Sequence, residues 1–80
     1  MNSPLHPRQA LADMLSRSIG LAKAVAMVDA AAVQLGVGPY LNRDDALRLL
    51  ELMAQQAGIV GITARFAKSR VHLVWAEGEA

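Results

Sequence analysis

The chain contains no cysteine, so disulfides and every thiolate zinc site are excluded, and cysteine usage carries no information about redox compartment. Aromatic residues are scarce: Tyr40, Phe66 and Trp75 are all there are. Charged residues make up 19% of the chain, below the roughly 25% of an ordinary soluble domain. Eight Lys and Arg against seven Asp and Glu leave a net charge of +1, far short of the basic excess that marks a nucleic-acid-binding domain. Uncharged runs such as Ala30 to Asn42 and Leu52 to Ala64 are ended by charges before the roughly 18 residues a membrane span needs. The opening MNSPLHPRQALADM lacks the basic, then apolar, then small-residue order of a signal peptide. A cytoplasmic protein without membrane contact is the expectation.

What is present is apolar. Of 80 residues, 54% are hydrophobic, which excludes disorder and allows one small domain. Fifteen of those residues are alanine and eleven leucine, so the volume available to a core is less than the count suggests. A thin core and alanine-rich helix faces predict a homodimer or an obligate protein partner.

Residues 1–7 read as a frayed lead-in, with Pro4 and Pro7 disfavouring helix before them and Pro7 suited to a first helical position. From Arg8 to about Leu35 strong helix formers dominate, and Leu11, Leu15, Ala22, Val25, Ala26 and Val33 recur at helical spacing. Ser16 to Gly20 weakens the middle of this stretch, which is either one kinked helix or two, about 8–18 and 21–35. Gly36 is suited to a left-handed C-cap and Pro39 cannot continue the helix. Asn42 caps the next helix, with Asp44 and Asp45 in its first turn and Gly58 closing it.

From Ile59 the pattern reads as period two. Ile62, Ala64 and Phe66 alternate with Thr63 and Arg65, and Val71, Leu73 and Trp75 alternate with Arg70, His72 and Val74. The expectation is an antiparallel hairpin turning at Lys68-Ser69, with Phe66 opposite Val71, Ala64 opposite Leu73 and Ile62 opposite Trp75 on a buried face. Residues 8–76 thus form a single small α+β domain, two or three helices followed by a C-terminal β-hairpin, with 77–80 an acidic tail.

Residue sets for catalysis are missing. His6 and His72 lie far apart, Asp44 and Asp45 diverge by about 100° on a helix, and no serine sits in a nucleophile elbow. Gly36-Val37-Gly38 lacks the Lys and Ser/Thr of a phosphate loop. The chain is read as a non-enzyme with no cofactor and no metal. One cluster is singled out for binding: Arg65, Lys68, Arg70 and His72 on the hairpin, with Arg43 at the start of the preceding helix. The order of helices and hairpin resembles that of a winged helix, whose wing reaches phosphates with such residues. The favoured reading is a homo-oligomeric adaptor or regulator that binds another protein. A nucleic-acid-binding regulator using the basic hairpin is the alternative.

Overall fold

In the computed structural model, which describes residues 5–75, four helices account for nearly all regular structure. They are α1 (Arg8–Ile19), α2 (Leu21–Leu35), α3 (Arg43–Ala54) and α4 (Ile59–Val74). A short antiparallel strand pair, β1 (His6–Pro7) with β2 (Tyr40–Leu41), sets His6 opposite Leu41 and Pro7 opposite Tyr40. It ties the start of α1 to the connector between α2 and α3, and the Arg8 amide adds a 2.9 Å hydrogen bond to the Pro39 carbonyl. The acidic tail, like residues 1–4, lies outside the described residues.

Several helix boundaries follow the local signals. The stretch from Arg8 breaks in two at Gly20, whose φ of 88° and ψ of 149° suit only glycine. Gly36 closes α2 in the left-handed region, with φ 72° and ψ 27°. Asn42 caps α3 by accepting a 2.8 Å hydrogen bond from the Asp45 amide. Helix α3 ends at Ala54, and Gly58 precedes α4 rather than terminating α3.

The core lies where the helices converge, with Leu11, Leu15, Val28, Leu41, Leu49, Leu50, Met53 and Val71 as its largest fully buried side chains. Helix α1 packs on α2 and α4, and α3 packs on α4 and α2. Alanines at 24, 31 and 32 on α2 and at 64 and 67 on α4 are buried. Their small side chains let neighbouring backbones approach, which is how a chain poor in large residues still fills its interior.

The C-terminal hairpin is not formed. Residues 59–74 are one continuous helix, so the fold is nearly all-α, and the winged-helix reading falls with its wing. Val60, Ala64, Ala67 and Val71 point inward at spacings of three and four. Phe66 and Leu73, expected inside, are 72% and 86% exposed. The segment has no proline, and Lys68-Ser69 is a poor turn. A helix satisfies its backbone hydrogen bonds locally, whereas an isolated two-stranded hairpin is marginal in water.

Candidate functional site

The helix keeps Arg65, Lys68 and His72 on one face, at i, i+3 and i+7, and turns Arg70 away from them. Lys68 and Arg70, two positions apart, lie about 200° apart around an axis of 3.6 residues per turn. Lys68 faces α3 and donates to the Glu51 carboxylate. That hydrogen bond, with the charge of Lys68 and more weakly that of Arg65, holds the Glu51 carboxyl below its ordinary range. Arg65 is exposed beside the same pair and lines a shallow groove of about 370 Å³ with Glu51, Ala54, Gln55 and Lys68.

Arg70 lies on the other flank, toward α1. It lines an open groove of about 350 Å³ with Met14, Arg17, Ser18, Thr63, Phe66 and Ala67. Arg43 and His72 meet where α3 begins and α4 ends: Arg43 Nη2 lies 3.0 Å from His72 Nδ1 and 3.4 Å from its carbonyl oxygen. A guanidinium can only donate, so in this contact Nδ1 is the acceptor. Nearby, the His6 ring stacks on Trp75 with centroids 3.9 Å apart. Lys68 and the Arg43–His72 pair are thus engaged within the fold, and Glu51 offsets part of the positive charge on the face that Arg65, Lys68 and His72 share.

The remaining sequence readings find quiet places. Asp44 and Asp45 sit in the first turn of α3, and Asp45 is 3.9 Å from Arg48. Among the described residues, no group of three His, Cys, Asp or Glu side chains is placed to hold a metal ion. No described helix is long and apolar enough to cross a membrane.

The feature that sequence reading missed is the outward face of α4. Ile59, Ile62, Phe66 and Leu73 are 53%, 49%, 72% and 86% exposed, and they run along one side of the helix. Their spacing of three, four and seven was a legible signal, hidden because alternate members also satisfy a period of two. Such a face supports no bond-making chemistry. It can exclude water against another apolar surface. Searches of protein-family models, curated proteins and solved structures found no match to this chain.

Proposed function

We propose that the chain is a non-enzymatic interaction module, a small homo-oligomeric adaptor or regulator that works by binding protein. The observation that carries this reading is the large apolar side chains exposed on α4, nearly opposite the stripe that already fills the core. A helix apolar on two sides is ordinarily covered on both. The separation of Arg70 and the pairing of Lys68 with Glu51 support protein over nucleic acid as the partner, since duplex binding draws on basic side chains left free to meet phosphates.

Light scattering coupled to size-exclusion chromatography, over a wide concentration range, tests the self-association. The expected outcome is a species heavier than the 8.5 kDa chain that dissociates on dilution. A mass of one chain at every concentration would remove the homo-oligomeric part of the proposal.

A further inference from the structure

The outer face of α4 carries a register as well as apolar area. Ile59, Ile62, Phe66, Ser69 and Leu73 follow one another at intervals of three, four, three and four, the spacing of a coiled-coil seam. All five are exposed. With about 100° per residue, the seam is centred roughly 140–150° from the core stripe of Val60, Ala64, Ala67 and Val71. The first partner of α4 is its own core. We propose that the second is α4 of another copy of this chain, packed antiparallel across a two-fold axis, with Ile62 against Leu73 and Phe66 against Ser69 of the second copy. This rests on the homo-oligomeric reading above and assigns it a surface and a register.

Packing selects that arrangement. A parallel pair would stack Phe66 on Phe66 and Ser69 on Ser69, an overfilled layer beside a void. The other antiparallel register sets Phe66 against Ile62 and leaves Leu73, the most exposed of the seam at 86%, without a facing residue, whereas the proposed one leaves only Ile59, at 53%, beyond the end of the facing helix. The proposed register meets large with small at Phe66 and Ser69, as dense interiors require.

The area is also suited to a second copy. Burying one such side chain removes about 60–120 Å² of apolar surface. Because a two-fold axis uses Ile62, Phe66 and Leu73 twice, the apolar area reaches roughly 400–700 Å². Interfaces are a little over half apolar, which puts the total near 1,000 Å², where specific association begins. Charge is compatible too, because the flanking Arg65 lies beside His72 of the second copy and Arg70 beside its Thr63, so no arginine faces an arginine. The rims are nevertheless basic on both copies, so added salt holds or tightens the pair by screening. An acidic protein, a nucleic acid or an anionic bilayer on the same face would be weakened by salt.

The absence of cysteine makes the test clean. Ile62→Cys and Leu73→Cys variants are oxidised separately and as an equal mixture, with light scattering alongside. The mixture is expected to yield a disulfide-linked dimer of the two variants, identified by mass. Each variant alone is expected to yield little, because like positions lie about 16 Å apart along the antiparallel pair, beyond disulfide reach of about 7 Å between Cα atoms. Phe66→Asp is expected to raise the dimer dissociation constant at least about a hundredfold with helicity unchanged. Linkage within the separate variants means a parallel pair and overturns the proposal. A dimer that fails to link in the mixture, or one that salt dissociates, overturns it while leaving homo-oligomerisation standing. A monomer under all conditions overturns both.

Discussion

Gly61 lies in the first turn of α4, buried against the end of α3. Glycine disfavours a helix interior by about 1 kcal/mol relative to alanine, so propensity alone favours its replacement. Contact opposes it: a β-carbon here would run into the Gln56 carbonyl oxygen and lie 3.1 Å from that of Ala54. Both obstacles are backbone, which cannot rotate aside as a side chain can. Gly61→Ala is therefore expected to lose about 2–3 kcal/mol of stability despite the better helix former. Thermal melting followed by circular dichroism measures it. A variant more stable than the parent would show that the approach of α3 to α4 is looser than described.

Helix α4 shows what the sequence disclosed and what it concealed. The caps at Asn42 and Gly36 were legible because each rests on one residue's own chemistry, whereas the residues around Gly20 left open whether the stretch was one kinked helix or two. The identity of residues 59–74 was not, because apolar residues on two sides of a helix also fall at alternate positions along the chain. Ile62, Ala64 and Phe66 read as one face of a strand, yet Ala64 is buried while Ile62 and Phe66 are exposed. A second apolar face, exposed among the described residues, removes the amphipathic signature on which helix recognition depends. The outer strand region expected to gather the basic cluster dissolved for the same reason, although the helix keeps Arg65, Lys68 and His72 on one face and turns only Arg70 away. What replaced it is local pairing between helices, as between Glu51 and Lys68. A carboxyl lowered in the folded state contributes stability above its unfolded pKa, lost as pH falls through the folded value, so the relevant window lies below about 4.5. Both groups are solvated, and the effect on stability is screened. The titration itself is the sensitive observable: by NMR, Glu51 is expected to titrate below its ordinary value, and Lys68→Gln should move that midpoint up. An unchanged midpoint would show that the pair does not form in solution.

The four helices already make a closed unit, with a radius of gyration of 11.6 Å, about that of any compact chain of this length. The exposed seam on α4 is therefore not the mark of an open structure waiting to collapse on itself. It follows that folding and association are separable. Had Phe66 and Leu73 faced the inside of a hairpin, a charge at either would have unfolded the domain. On the outer face, Phe66→Asp is expected to leave a cooperative melt in place, because surface substitutions away from buried partners change stability by only a few tenths of a kcal/mol. Mass action gives a second expectation. Association that favours the folded state raises the melting temperature as protein concentration rises, so the parent's Tm should climb with concentration and that of Phe66→Asp should not. Differential scanning calorimetry at several concentrations reads both at once. A parent Tm independent of concentration would remove self-association from the account. A Phe66→Asp variant that no longer melts cooperatively would return that side chain to the core.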